Sequence, residues 1–175
     1  METIETKRLI IRRFIKEDLN DVNEYLLQRR NEKYENTSWY NDSLKESVLE
    51  TRIQSNEFLA VYLKSEKKVV GNLYVGNRPF NAKEIGYVFN KNYLRLGYGS
   101  EAVGAIIKYL FECGIHRVYA ECDPENIASW KLMEKVGMKR EGKLIQNVCF
   151  IHEAGKPPYY TDTYIYGLVN PADLK

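Results

Sequence analysis

The 175-residue chain is predicted to form one α/β (α+β) domain over residues 1–175, with a mixed, largely antiparallel sheet of about seven strands and about four helices. Short apolar, β-branched or aromatic runs follow one another without an intervening helix, which is typical of an antiparallel meander. A strand–helix–strand unit comes next, and its two strands should run parallel because a crossover helix joins them. A hydrophobic content of 44% suits a single core of this size.

The elements of the first half follow from hydrophobic periodicity. A strand is predicted over residues 7–14, followed by helices over residues 17–27 and 44–53. Three strands then follow over residues 58–63, 69–75 and 84–89. The polar connection over residues 29–43 contains Trp39 and Tyr40, which are candidates for lining an acceptor pocket because binding residues often lie on loops.

The second half begins with a helix that ends near residue 112 and continues with a strand over residues 117–122. Asn126 is a favourable N-cap for a helix that Gly137 terminates. Two final strands are predicted over residues 140–150 and 161–168. The Tyr-rich stretch over residues 159–166 could line a pocket, but alternation of tyrosines is also ordinary strand packing.

The most informative segment joins the strand over residues 84–89 to the helix through Gly97 and Gly99. An apolar stripe at helical spacing begins at Ala102, so the glycines lie at a helix N-terminus. Backbone N–H groups there point outward with the positive end of the helix dipole behind them. The turn is therefore predicted to bind a phosphate group, although glycines at such a turn can also serve only steric relief.

This turn differs from the two most common phosphate loops. No Lys-Ser or Lys-Thr pair follows Gly99, so it is not a P-loop. Ala102 stands at the third position of a dinucleotide fingerprint, but no strand with an acidic end follows at the usual distance. A nucleotide-binding enzyme that uses the turn differently remains an alternative.

Charge and cysteine usage exclude several classes of function. The chain has 26 basic and 24 acidic residues, a net charge of +2, so no overall field favours nucleic acid or a membrane. The polar N-terminus and the short apolar runs predict a cytoplasmic protein. The three cysteines are expected to be reduced thiols. Cys113-x-x-His116 imitates half a metal site, but Cys122 and His152 do not complete it, so no metal is predicted.

The glycine turn and the segment over residues 126–138 together resemble the GNAT-type N-acetyltransferases, and within them the ribosomal-protein N-terminal acetyltransferase branch. The resemblance extends from residues 6–12 to residues 162–168. It implies a GNAT fold, acetyl-CoA as cosubstrate and transfer of the acetyl group to a primary amine in a ternary complex. The chain departs from the family pattern at Leu94, where Gln or Arg is usual; Arg95 follows one place later.

The resemblance also implies roles for individual residues. Pyrophosphate binding falls on the backbone of Leu94, Arg95, Leu96, Gly97, Tyr98, Gly99 and Ser100. The N–H groups of Val88 and Phe89 would polarise the thioester, and Asn126 would contact the CoA arm. Ser129 is the candidate acid, since Met133 stands where many GNAT enzymes carry Tyr and a thioether cannot donate a proton. Glu84 is the candidate base, and Glu101 is interpreted as structural.

The sequence leaves the acceptor open. The branch suggests a protein N-terminus, whereas related folds accept polyamines, aminoglycosides and other small amines. A non-catalytic acyl-CoA-binding module on the same scaffold is a further alternative, because fold alone does not settle function. Both a monomer and a homodimer are compatible with the sequence.

Overall fold

The structure is a computed structural model that describes residues 2–29, 34, 40–149 and 158–174. Its strands are β1 (Ile4–Glu5), β2 (Leu9–Arg12), β3 (Phe58–Leu63), β4 (Lys68–Arg78), β5 (Ala82–Phe89), β6 (Arg117–Cys122), β7 (Lys139–Val148) and β8 (Thr161–Val169). Its α-helices are α1 (Leu19–Arg29), α2 (Lys45–Gln54), α3 (Tyr98–Glu112) and α4 (Ile127–Lys135). Short 3₁₀ turns cover Lys16–Asp18, Asp42–Leu44, Lys91–Tyr93 and Pro171–Asp173.

The strands form one sheet in the order β1-β2-β3-β4-β5-β6-β8-β7. All neighbouring pairs are antiparallel except β5 and β6, which run parallel. The predicted mixed, largely antiparallel sheet with one parallel crossover is thus confirmed. The strand that the sequence missed is β1, whose two residues pair with Ile10 and Ile11 of β2. It is too short for alternation to reveal.

Helices cover both faces of the sheet. One core lies between the sheet and helices α3 and α4, and it includes the fully buried Ile106. A second core lies on the opposite face under α1 and α2, and it includes Val22. Because side chains alternate along a strand, Phe89 of β5 packs into the first core and Val88 packs against the second.

The parallel contact between β5 and β6 is short. Only Ala82, Lys83 and Glu84 are in register with β6, opposite the segment that begins at Arg117. Beyond Glu84 the two strands separate, while β5 remains paired with β4 as far as Phe89. The sheet therefore opens at its centre, beside Val88 and Phe89, whose N–H groups are the predicted thioester donors.

The interpretation of Tyr40 as a pocket residue is wrong. Tyr40 is fully buried in the core under α1 and α2, and its hydroxyl donates to Asn23 Oδ1 at 2.7 Å. An aromatic ring at the end of a polar loop is here a packing residue. Trp39 and His152 lie outside the described residues.

Candidate active site

The turn between β5 and α3 has the backbone that an anion site needs. Arg95 and Gly97 have positive φ angles, 61° and 85°, so the chain turns sharply just before the helix begins. The first N–H groups of a helix have no intrahelical partner. Within the described part of the chain, no backbone acceptor contacts the N–H groups of Tyr98, Gly99 and Ser100. These donors can bind a phosphate group at the positive end of the helix dipole.

Gly99 lies where a side chain has little room. A Cβ atom at this position would be 2.8 Å from Leu132 Cδ1 and 3.4 Å from the Phe89 ring. The first turn of α3 therefore packs directly against α4 and the end of β5. Glycine at this position is needed for close packing, whereas glycine at position 97 is favoured by the left-handed backbone.

Arg8 holds this turn in place from the other end of the chain. Its Nη1 donates to the Leu96 carbonyl at 2.9 Å, its Nε donates to Glu101 at 2.6 Å, and its guanidinium lies 4.4 Å from the centre of the Tyr98 ring. Thr6 Oγ1 donates to the same carboxylate at 2.6 Å. Burial alone would raise the pKa of Glu101, but the hydrogen bonds from Thr6 and Arg8 outweigh it and lower the pKa. These contacts agree with the structural interpretation of Glu101.

A pocket of about 260 Å³ lies beside the turn, where β5 and β6 separate. Small-molecule pockets usually exceed about 300 Å³, so this one suits the reacting end of a cosubstrate and an amine. Of the predicted site residues, four line it: Phe89, Leu94, Asn126 and Ser129. The other turn residues lie next to it in the chain, and Val88 and Glu84 lie outside its lining.

The start of α4 places Ser129 in this pocket. Asn126 caps the helix, and its Oδ1 accepts a hydrogen bond from the Ser129 N–H at 3.2 Å. Tyr87 of β5 reaches across to the same residue. Its hydroxyl donates to the Ser129 carbonyl at 3.0 Å and lies 2.9 Å from Ser129 Oγ. Sequence analysis missed Tyr87, because nothing local distinguishes it from a core strand residue.

Cys122 lies at the end of β6 in the same pocket. Burial raises the pKa of its thiol to about 11, and a hydrogen bond from the Ser129 hydroxyl only partly offsets that rise. The thiol therefore stays protonated near neutral pH and is a poor nucleophile.

Glu84 has a partner of its own outside the pocket. Its carboxylate forms an ion pair and a hydrogen bond with Arg78, which also donates to Tyr119 at 3.1 Å. Glu84 belongs to the last pair of residues at which β5 and β6 remain in register. Because Arg78 engages this carboxylate outside the pocket lining, the geometry does not favour Glu84 as the base.

Glu121 of β6 is the carboxylate that the sequence analysis missed. It lines the pocket, and its Oε2 accepts hydrogen bonds from Asn147 Nδ2 at 2.7 Å and Thr163 Oγ1 at 3.0 Å. Among the described residues, its Oε1 has no hydrogen-bond partner. One oxygen is thus fixed by strands β7 and β8, and the other is available to a ligand. The sequence signal that could have identified Glu121 is its position near the end of a predicted strand, just before Asp123-Pro124.

The two predicted thioester donors, the N–H groups of Val88 and Phe89, point in opposite directions from β5. The Asn90 N–H donates to the Val70 carbonyl at 2.9 Å, so this group points to β4. Backbone groups of alternate residues in an antiparallel strand point the same way. The Val88 N–H therefore also points to β4, whereas the Phe89 N–H points toward the opening between β5 and β6.

The residues of the imitated metal motif do not converge. Cys113 is exposed at the end of α3, and His116 Nδ1 lies 2.7 Å from the Asp173 carboxylate. In the described part of the chain, no three His, Cys, Asp or Glu side chains are placed together to hold a metal ion. The described helices are all too short or too polar to cross a lipid bilayer.

Comparisons with known proteins agree with this geometry. Residues 8–139 match the family described as Acetyltransferase (GNAT) domain. An uncharacterized N-acetyltransferase of Bacillus subtilis, YnaD, is 39% identical over 145 residues, which are 79% of this chain and 84% of that protein.

Solved structures give the same result for the fold. A crystal structure of a GNAT-family acetyltransferase from Bacillus anthracis matches with a TM-score of 0.86 and 32% identity, covering 97% of this chain and 99% of that one. RimL, a ribosomal α-N-protein acetyltransferase in complex with coenzyme A, matches with a TM-score of 0.81 over 98% of this chain and 100% of that one. At 18% identity, the likeness to RimL concerns the fold alone.

Proposed function

The chain belongs to the GNAT acetyltransferase family and is an N-acetyltransferase, and from that premise we propose that it acetylates the α-amine of a protein or peptide N-terminus by direct attack in a ternary complex. Acetyl-CoA supplies the acetyl group as a thioester. The chain must then hold the CoA arm, polarise the thioester, remove a proton from the amine and protonate the departing sulfur.

The observation that carries this proposal is the convergence of Glu121 and Ser129 on one pocket beside the glycine turn. A primary amine is mostly protonated near neutral pH, so a base has to take a proton before the amine can attack. Glu121 Oε1 can accept that proton while Asn147 and Thr163 keep Oε2 in place. Ser129 can donate a proton from the first turn of α4.

The remaining residues would bind and orient. The N–H groups of Tyr98, Gly99 and Ser100 would hold the pyrophosphate, which is the role predicted for the turn. The Phe89 N–H would donate to the thioester carbonyl oxygen. Asn126 uses Oδ1 as a helix cap, so its Nδ2 would be the atom that contacts the CoA arm.

Charge supports an amine acceptor, and analogy supports a peptide as its carrier. Glu121 and Asp123 line the pocket, and Glu125, two residues further, accepts a hydrogen bond from Tyr34 at 3.3 Å. This acidic connection between β6 and α4 would attract an ammonium group. RimL, which shares the fold, is named for acetylating a ribosomal protein N-terminus.

Three matched acceptors test the proposal. The first is a lysine-free peptide with a free α-amine, the second is the same peptide with a blocked N-terminus and one lysine, and the third is a polyamine. Release of CoA and mass spectrometry of the acceptor are followed with the wild-type protein. We expect acetylation of the first peptide alone. Acetylation of the polyamine without either peptide would instead assign a small-molecule acceptor.

A further inference from the structure

The Tyr87 phenol and the Ser129 hydroxyl form one hydrogen-bonded pair inside the pocket. The oxygen atoms of the two side chains lie 2.9 Å apart, and Tyr87 Oη lies 3.0 Å from the Ser129 carbonyl oxygen, so its single proton can go to either acceptor. Tyr87 packs against the core under α3 and α4, and both residues line the pocket. The hydroxyls are thus held together from two different elements, β5 and α4.

A serine hydroxyl alone is a weak proton donor to a departing thiolate. The alkoxide that donation leaves behind is much more basic than a phenolate, whose conjugate acid has an ordinary pKa of about 10. Met133, which also lines the pocket, has no proton to give. Burial raises the pKa of the Cys122 thiol to about 11, so the thiol is a weaker acid than an ordinary phenol. The Tyr87 phenol is the remaining acidic group in contact with Ser129 Oγ among the described residues.

We propose that Tyr87 and Ser129 act as one proton-donating pair. The Ser129 Oγ–H proton passes to the sulfur of the departing CoA thiolate, and Oγ takes up the Tyr87 Oη–H proton as it does so. One S–H bond forms, one Oη–H bond breaks, and the negative charge moves from sulfur to the phenolate, which a water molecule then reprotonates. Tyr87 acts through Ser129 and is a positioning residue for it. The inference rests on the proposed function, because it needs a thiolate to leave.

Steady-state kinetics give the first test. We expect Tyr87→Phe to lower kcat about tenfold and to leave the KM for acetyl-CoA nearly unchanged. In a background of Ser129→Ala, the same substitution should have almost no further effect, because the pair no longer exists. Independent, multiplying effects of the two substitutions would overturn the proposal.

Tyr166→Phe is the matched control. The Tyr166 hydroxyl also donates to α4, at 3.0 Å from Glu134 Oε1, and it is buried outside the pocket lining. Its removal should lower thermal stability about as much as Tyr87→Phe does but leave kcat unchanged. An equal loss of kcat in both variants would mean that Tyr87 serves only to hold α4.

A binding measurement tests the pair without turnover. Calorimetry at pH 7 and pH 9 compares CoA with desulfo-CoA, which lacks the thiol. We expect Tyr87→Phe to weaken CoA binding at pH 9, where the thiol begins to ionise, about threefold more than it weakens desulfo-CoA binding. Equal changes for the two ligands would overturn the inference. If wild-type protein binds CoA in this pattern but acetylates no amine, the proposed function fails and the hydroxyl pair still stands as a thiolate-binding site.

Discussion

The glycine turn before α3 and the carboxylate-lined end of the pocket are built in different ways. The turn offers backbone N–H groups at a helix N-terminus, so its ligand contacts depend on chain conformation and close packing more than on side-chain identity. The other end offers the side chains of Glu121, Tyr87 and Ser129, each from a separate element. We expect a backbone site to tolerate Leu94 in place of the Gln or Arg that is usual in the family. We expect the side-chain site to be sensitive to single atoms.

The largest effect should come from the carboxylate. Glu121→Gln keeps the size and the hydrogen-bonding shape of the side chain but removes its basicity, so we expect kcat to fall by about 10³-fold. The acidic limb of the pH–rate profile should flatten, and acetyl-CoA affinity should not change. Stopped-assay kinetics from pH 5 to pH 9 measure both.

Glu84→Gln is the matched control for that carboxylate. The sequence analysis predicted Glu84 as the base, and its ion pair with Arg78 argues against this role. We expect less than about a threefold loss of kcat, because Glu84 lies outside the pocket lining. A large loss with Glu84→Gln and none with Glu121→Gln would reverse the assignment.

The serine should have the next largest effect. Ser129→Ala should lower kcat about 10²-fold and leave the affinity for acetyl-CoA nearly intact. Ser129→Thr, which retains a hydroxyl, should keep most of the activity. If the alanine variant loses affinity in calorimetry but not kcat, Ser129 is a CoA contact and not the acid.

The turn can be tested with two glycines of one helix. Gly99→Val places a side chain against Leu132 Cδ1, at 2.8 Å for Cβ alone, and should weaken CoA binding about tenfold. Gly104→Val is the control, because its Cβ would meet nothing closer than Val136 Cγ1 at 4.0 Å. Calorimetry should find its CoA affinity unchanged. Equal affinity in both variants would contradict a role of the turn in binding.

The smallest expected effect concerns Arg8. Arg8→Gln leaves the Glu101 carboxylate uncompensated beside the anion-binding turn, so CoA binding should weaken about threefold. Adding Glu101→Gln should restore the CoA affinity. A variant that had lost affinity through misfolding would not regain it in this way. Lys64→Gln, which removes an ion pair with Glu5, should have no effect on binding. If the double variant binds no better than Arg8→Gln, the role of Arg8 is only structural.

The same ion pair has a pH dependence with a definite sign. The pKa of Glu101 is lowered in the folded protein from an ordinary value of 4.5. Its contribution to stability is therefore present at neutral pH and is lost as the pH falls below 4.5 through the lowered pKa. Arg8→Gln should accordingly reduce the melting temperature at pH 7, and by progressively less as the pH falls below 4.5.

The sequence predicted the elements and the turn because both are encoded locally. Hydrophobic periodicity marks helices and strands, and Gly97 and Gly99 mark a turn within a few residues of the helix they precede. Glu121, Tyr87 and Arg8 escaped notice since their partners are distant in the chain. Tyr87 and Ser129 are 42 residues apart, and Arg8 and Glu101 are 93 apart. Apart from the position of Glu121 just before the Asp123-Pro124 break, no local pattern distinguishes these residues from surface or core residues.

The two candidate bases illustrate the same limit. Glu84 and Glu121 both lie on strands beside the opening in the sheet, and residue type alone does not separate them. The register of β5 with β6 decides which carboxylate faces the pocket, and register is a property of the folded sheet. The burial of Tyr40 was equally out of reach, because it depends on how α1 and α2 pack on β3 and β4.

The short contact between β5 and β6 also divides the molecule mechanically. Three residue pairs in register connect a block formed by β1–β5 with a block formed by β6, β7 and β8, and α3 and α4 span the seam from one side. Such a seam is a natural boundary between cooperative unfolding units. A ligand that contacts both blocks connects them across this boundary. It therefore raises the free energy of unfolding as its concentration rises. If substrates bind in this opening as proposed, they also bridge a short connection between the two halves of the sheet.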